Sequence, residues 1–310
     1  MREDRHVSGD GQQGQTRPGN WGRWGPDDQR GALNLIDAAA VRRGVAAVKQ
    51  GRVLALGLEL GRRGLPLAPP RQPPIHLMSV DGGAYLAGAK AEGGAEMADS
   101  FLITGTQVGT HMDALGHIWD QGQMYNGFSR SEVRSTSGAR RLGIENVKGI
   151  VTRGIFIDIP RDLGRDHLEP GFQITDDMLA QSLERDGLTL QPGDAVLIRT
   201  GFLKDFREGV ADVHGWPGLS VSGGRFLARY DVAVILSDNL AIEAVPWDTS
   251  IERKVAPVHL ELIRDHGIYF VEAADLEEVA ACGEREVLFM AAPLPIKGGT
   301  GSPTNPLVVI

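Results

Sequence analysis

Gly105-Thr106-Gln107-Val108-Gly109-Thr110-His111-Met112-Asp113-Ala114-Leu115-Gly116-His117-Ile118-Trp119 sets three ionisable side chains, His111, Asp113 and His117, among glycines and apolar residues. His111 and Asp113 are two positions apart, so an extended backbone sends both to one face and Met112 to the other. An imidazole nitrogen and a carboxylate oxygen can then reach one cation. That donor pair suits Zn2+ or Mn2+ better than Ca2+ or Mg2+, which favour oxygen alone. Gly105, Gly109 and Gly116 let the chain turn sharply and let a substrate come close. His117, on the same segment, is placed for general acid or base work near neutral pH. Taken as spacing alone, His-x-Asp is also the pattern of a surface hydrogen-bonded pair, and His117 that of a partly buried histidine bonded to a carbonyl.

The rest of the chain bounds what this segment can do. With 310 residues and 42% hydrophobic content it can bury a large core. A formal net charge of -8 argues against a binder of phosphate backbones, so no nucleic-acid partner is expected. The single cysteine, Cys282, can form neither an intramolecular disulfide nor a cysteine-based zinc cluster, which leaves nitrogen and oxygen ligands for any metal. The N-terminus has no apolar h-region, and no later stretch approaches the roughly 20 apolar residues of a membrane span. Cytoplasmic residence and no membrane partner are therefore expected.

Residues 1–20 are polar, glycine-rich and aperiodic, and are expected to form a flexible tail that orders only against a partner subunit. Residues 21–310 show no linker, repeat or low-complexity block and are expected to form one domain. Asp37 can cap a helix through Ala38, Val41, Val45, Ala46 and Val48 that stops at Gly51. Five prolines between Leu65 and Pro74 predict an extended loop, either bordering a cleft or simply joining surface elements. From Gly149 the pattern alternates. Strands are predicted at Ile150 to Ile159, Ala195 to Thr200 and Val232 to Leu236, with a helix from Thr175 toward Gly187 and another starting at Ser222. A further helix from Val258 to Gly267 leads into a strand at Ile268 to Val271. This order is that of an α/β fold whose sheet is covered by helices.

The quoted stretch resembles the signature of the cyclase family of metal-dependent hydrolases, which includes bacterial kynurenine formamidase, isatin hydrolase and a manganese-dependent dienelactone hydrolase. That signature reads His-x-Gly-Thr-His-x-Asp-x-Pro-x-His. The chain is similar to the family's longer members in Arg23-Trp24-Gly25-Pro26-Asp27-Asp28, Gly31-Ala32-Leu33-Asn34, Tyr125-Asn126-Gly127, His214-Gly215-Trp216-Pro217-Gly218-Leu219, Ser237-Asp238-Asn239 and Gly298-Gly299-Thr300-Gly301-Ser302-Pro303. The likeness runs from about Trp21 to the C-terminus. It implies a swivelling β/β/α (cyclase-like) fold, a mixed β-sheet surrounded by helices, and assembly as a homodimer or homotetramer.

Residue by residue, the resemblance makes His111 and Asp113 metal ligands and His117 the acid/base. It adds His259 and Glu272 as the pair that completes the metal site. Read without it, His259 is a histidine on a partly exposed helical face and Glu272 a cap or ion pair at a strand end. Two positions depart from the signature. Gln107 replaces the leading histidine, which weighs against a two-metal site and makes Gln107 either a weak carbonyl ligand or a contact behind the ligands. Leu115 replaces the proline.

The implied activity is hydrolysis of a small carbonyl compound, an amide, cyclic amide or lactone, by water that Mn2+ or Zn2+ activates. Thr110 or a backbone N–H of the glycine-rich turn is expected to donate to the oxyanion, and Trp119, Tyr125 and Phe128 either line a pocket for an aromatic substrate or pack in the core. A cyclase or dehydratase, and an inactive binding protein on the same fold, are the alternatives. No GxSxG elbow is present, because Gly218-Leu219-Ser220-Val221-Ser222 lacks the final glycine. Gly298-Gly299-Thr300-Gly301 lacks the lysine of a phosphate loop and reads as a tight turn packed near the site. His76, after the proline-rich loop, reads as an exposed residue.

Overall fold

The computed structural model describes residues 19–310 except 91, 249 and 252. Nine strands form one sheet: β1 (Val53–Ala55), β2 (His111–Asp113), β3 (Ile150–Asp158), β4 (Ala195–Arg199), β5 (Val234–Ser237), β6 (Tyr269–Glu272), β7 (Glu286–Ala291), β8 (Gly301–Pro303) and β9 (Leu307–Val309). Their order is β1-β9-β7-β3-β4-β5-β6-β2-β8. The central four, β3 to β6, run parallel. They are the near-continuous apolar runs of the sequence, because a parallel sheet covered on both faces leaves no side for polar residues. Antiparallel strands flank them on both sides, so the sheet is mixed.

Helices cover the sheet. Asp37 accepts the Ala40 N–H at 2.8 Å and starts α1 (Ala38–Ala46). Gly44 of that helix lies against Thr152 of β3, where a Cβ would come within 2.6 Å of the backbone, so only glycine permits this approach. Thr175 caps α2 (Asp176–Arg185) by accepting from Met178 N, and α2 packs beside α3 (Val221–Arg229). The cap of α3 is Ser220 rather than Ser222. Ser220 Oγ accepts the Gly223 N–H at 3.1 Å, and the Ser222 hydroxyl meets Ser220 Oγ instead. The expected Val258 helix is a short α-turn, Pro257–His259, that widens into a π-helical stretch, Leu260–Asp265.

Of the expected tail, only Gly19 and Asn20 fall among the described residues, where Asn20 bonds the carbonyls of Asp265 and His266; residues 1–18 lie outside them. The proline-rich loop leads into a hairpin of Ile75–Val80 and Asp99–Ile103 whose side chains are exposed almost throughout. No helix among the described residues is long and apolar enough to cross a membrane.

Candidate metal centre

The direction of the sheet reverses where β6 meets β2, and the site forms there. Glu272, the last residue of β6, lies directly across from His111, the first of β2, and the alternation of the strand brings Asp113 to the same face. On the other side β8 pairs Gly301 with Asp113. A Cβ on Gly301 would lie 2.4 Å from Gln107 Nε2. The Gly298–Gly301 turn therefore does pack at the site, and its last glycine clears the space that the Gln107 side chain fills.

Each imidazole is aimed by its other nitrogen. His111 Nδ1 donates to the Gly109 carbonyl at 2.8 Å, leaving Nε2 to face Glu272 Oε2 at 3.1 Å and Asp113 Oδ1 at 3.9 Å. His259 Nδ1 donates to the buried carboxylate of Glu243, which also accepts the Val258 N–H at 3.0 Å. This turns His259 Nε2 toward Glu272 Oε1 at 3.3 Å and Asp113 Oδ2 at 3.9 Å. The carboxylate behind a histidine fixes which nitrogen keeps the lone pair, the usual support of a metal-binding imidazole. His259 can reach inward because it sits where the helix opens into its π-stretch.

His111 Nε2, Asp113 Oδ2 and both oxygens of Glu272 are buried without a hydrogen-bond partner. His111 Nε2 and Glu272 Oε2 are close, but their alignment is not that of a hydrogen bond. Four orphaned lone-pair atoms converging in the interior would cost several kcal/mol if nothing bound them. The donor set of two imidazoles and two carboxylates fits a divalent cation of the zinc or manganese kind. Two overlapping triads can each share an ion, His111 with Asp113 and Glu272, and Asp113 with His117 and His259.

The electrostatics ask for positive charge. Burial pulls the His259 ring down, but Glu243 and Glu272 outweigh it and push it up to about 10. His111 follows the same balance, with burial opposed by Glu272 and Asp113 and a net upward shift. Burial raises Glu272, yet the two histidines hold it well below the usual carboxylate range. The carboxylates thus favour positive charge at this junction, and a bound cation would compete with protons for the two rings. For His117 burial wins, and the ring is held neutral to lower pH than usual.

Gln107 turns its amide nitrogen to Asp113 Oδ1 and to His117 Nδ1, both at 3.4 Å, while its carbonyl oxygen accepts the Thr106 hydroxyl at 2.6 Å. It bridges Asp113 and His117, and its carbonyl oxygen is turned to Thr106 and away from the triads. Thr110 does not face the reaction. Its hydroxyl donates to the Ala273 carbonyl at 2.6 Å and accepts the Leu58 N–H at 2.9 Å, so it has no proton left for an oxyanion. Its work is to hold Ala273, a non-glycine residue at φ 53° next to Glu272.

The cleft over the site, about 520 Å³, includes Arg71, Pro73, Ile75, Ile103, Gln107 and His117 in its lining. None of the expected aromatic residues lines it. Tyr125 is buried in the core with its hydroxyl on Asp28, Phe128 lies under Arg141, and Trp119 is partly exposed elsewhere. Glu243 and Arg71 escaped the sequence reading. Glu243 stands in no recognisable motif, and Arg71 was one cation in a proline-rich loop.

The model of the Cyclase family matches residues 40–244. The crystal structure of a novel cyclase is 34% identical, covering 94% of this chain and 98% of that one, with a TM-score of 0.85. An isatin hydrolase bound to the product analogue thioisatinate is 20% identical over 89% of this chain and 99% of its own, with a TM-score of 0.62. Isatin hydrolase A from Ralstonia solanacearum is 22% identical over 87% and 95%, with a TM-score of 0.61. At those identities the two hydrolases are similar in fold. No curated protein matched.

Proposed function

The chain belongs to the Cyclase family, and on that footing we propose that it is a metal-dependent hydrolase of a small carbonyl compound, an amide, cyclic amide or lactone. The observation that carries this reading is the set of buried, unbonded lone pairs on His111, Asp113 and Glu272 beneath an open cleft. His111, Asp113, His259 and Glu272 would hold Zn2+ or Mn2+. A divalent ion held there supplies the charge that acidifies a water and polarises a carbonyl.

The side chains supply the proton handling. With Nδ1 of His117 accepting from Gln107, the neutral ring carries its proton on Nε2, 3.9 Å from Asp113 Oδ1. As the water oxygen bonds to the carbonyl carbon, the neutral ring takes up the proton that the water sheds, and the resulting imidazolium gives a proton to the leaving atom as the carbon–nitrogen or carbon–oxygen bond breaks, so the ring ends as it began. Pro73, Ile75 and Ile103 give the cleft apolar walls.

Self-assembly is part of the proposal. The hairpin leaves Leu77, Met78, Phe101 and Leu102 exposed on a two-stranded ribbon, which by itself is marginally stable in water. A second copy of the chain covering it accounts for that surface, and light scattering would read a dimer or tetramer. The activity is tested by offering formylkynurenine, isatin and simple lactones to protein loaded with Zn2+ or Mn2+ in 18O-water. Incorporation of solvent oxygen into a product supports hydrolysis. Turnover without incorporation would point to ring closure or dehydration instead.

A further inference from the structure

Among the described residues lining the cleft, Arg71 carries the one permanent charge. Its side chain is three-quarters buried, with 25% exposure, and its Nη2 lies 3.9 Å from Glu272 Oε2, beyond hydrogen-bond reach. A guanidinium presents five N–H donors in a fixed fork, and among the described residues none accepts a hydrogen bond from this one. Arg71 therefore reaches the site without being satisfied there.

The charge balance says what is missing. Asp113 and Glu272 together match a divalent cation, and Glu243 is turned to the far nitrogen of His259. Once the cation is bound, Glu272 is spent on it, and Arg71 faces the cleft with no carboxylate of its own. Around it stand Pro73, Ile75, Ile103 and Val108, which accept an apolar body but no charge. A volume of about 520 Å³ admits one compact molecule.

We propose that Arg71 is a specificity-determining residue that pairs with an anionic group of the substrate, so that the substrate is a small carbonyl compound bearing a carboxylate beside the bond to be cleaved. The inference rests on the hydrolase reading, because one end of the molecule is placed by the metal and the other by Arg71. A planar fork suits a carboxylate bidentately, which lysine does not reproduce.

The test uses Mn2+-loaded full-length protein, its metal content measured in each sample, and calorimetric titration with phthalate, monomethyl phthalate and benzoate. Benzoate offers one carboxylate, which the metal can take, and phthalate a second at the distance of a neighbouring ring carbon. Wild type should bind phthalate about tenfold or more tighter than its monomethyl ester, the range of a charge-assisted hydrogen bond. Arg71→Gln should abolish that preference while keeping its metal and its benzoate affinity, and Arg71→Lys should retain part of it. No preference in wild type, or a preference that survives Arg71→Gln, overturns the anchor and leaves the hydrolase reading standing. Loss of metal and benzoate binding together in Arg71→Gln overturns it too, by making Arg71 a support for Glu272. Wild type that takes up no metal overturns the hydrolase reading itself.

Discussion

Replacing Glu243 by glutamine exchanges one buried oxygen for an NH2 group at nearly constant volume, and its consequence can be worked out atom by atom. Glu243 Oε2 accepts the Val258 N–H at 3.0 Å and Oε1 accepts from His259 Nδ1. The amide oxygen of glutamine must stay with Val258, whose N–H has no other acceptor among the described residues, so the new NH2 faces Nδ1. Two donors cannot share that line. His259 therefore moves its proton to Nε2, the nitrogen that faces Glu272 and Asp113, and its lone pair leaves the site. Removing the partner behind a metal-binding histidine typically costs about 10–100-fold in metal affinity, or roughly 1.4–2.7 kcal/mol. Folding should suffer less, because the Val258 N–H keeps its acceptor and the proton moved to Nε2 faces the carboxylates of Glu272 and Asp113. The assay is Mn2+ or Zn2+ titration against a competing chelator, with circular dichroism as the control for folding. Unchanged metal affinity in folded Glu243→Gln would refute the assignment of His259 as a ligand oriented by Glu243.

His117→Ala should lower turnover by about 10²–10⁴-fold with metal content unchanged, measured by steady-state kinetics beside elemental analysis. Thr110→Val strands the Ala273 carbonyl and the Leu58 N–H and should cost about 1–3 kcal/mol in denaturant unfolding; a large fall in turnover with unchanged stability would return Thr110 to the chemistry. Asp238, fully buried, is pushed by burial up to about 6 against the opposing bonds from Thr200 and Gly201. Because the folded state holds this proton more tightly than the unfolded chain, its contribution to stability is full below about pH 4 and is lost as pH rises through 6. The Asp238 carboxyl carbon followed by NMR should titrate near 6, and a midpoint near 4 would contradict the burial argument.

Much of this was legible because it depends on local spacing. A period of two puts His111 and Asp113 on one face whatever the rest of the chain does, and Asp37 and Thr175 are caps because the donors they satisfy are three residues ahead. His259 and Glu272 were readable only through resemblance, since nothing near either one marks it as a ligand. Glu272 is brought to His111 by the pairing of β6 with β2, a contact between segments about 160 residues apart, and His259 comes in from the Pro257–His259 turn, held by Glu243. Glu243 and Arg71 lie further from any signature, and their roles exist only once the sheet has closed around them. Tyr125 was open to two readings, pocket wall or core, and its burial decides for the core. Its nearness in sequence to the site suggested a pocket wall, but burial of a large ring against the core outweighs proximity along the chain. Ser222 was misread as a cap because either serine fits the pattern; Gly223 at three residues from Ser220 decides it, by allowing the helix to start against the Ile174 carbonyl.

The central claim is that the strand junction holds a divalent cation, and elemental analysis of the purified protein tests it most directly. Wild type should carry zinc or manganese in stoichiometric amount, and the double variant His111→Ala/Asp113→Ala, shown by circular dichroism to be folded, should carry none. Wild type that stays metal-free after dialysis against Zn2+ and Mn2+, or a double variant that binds metal as wild type does, would contradict it.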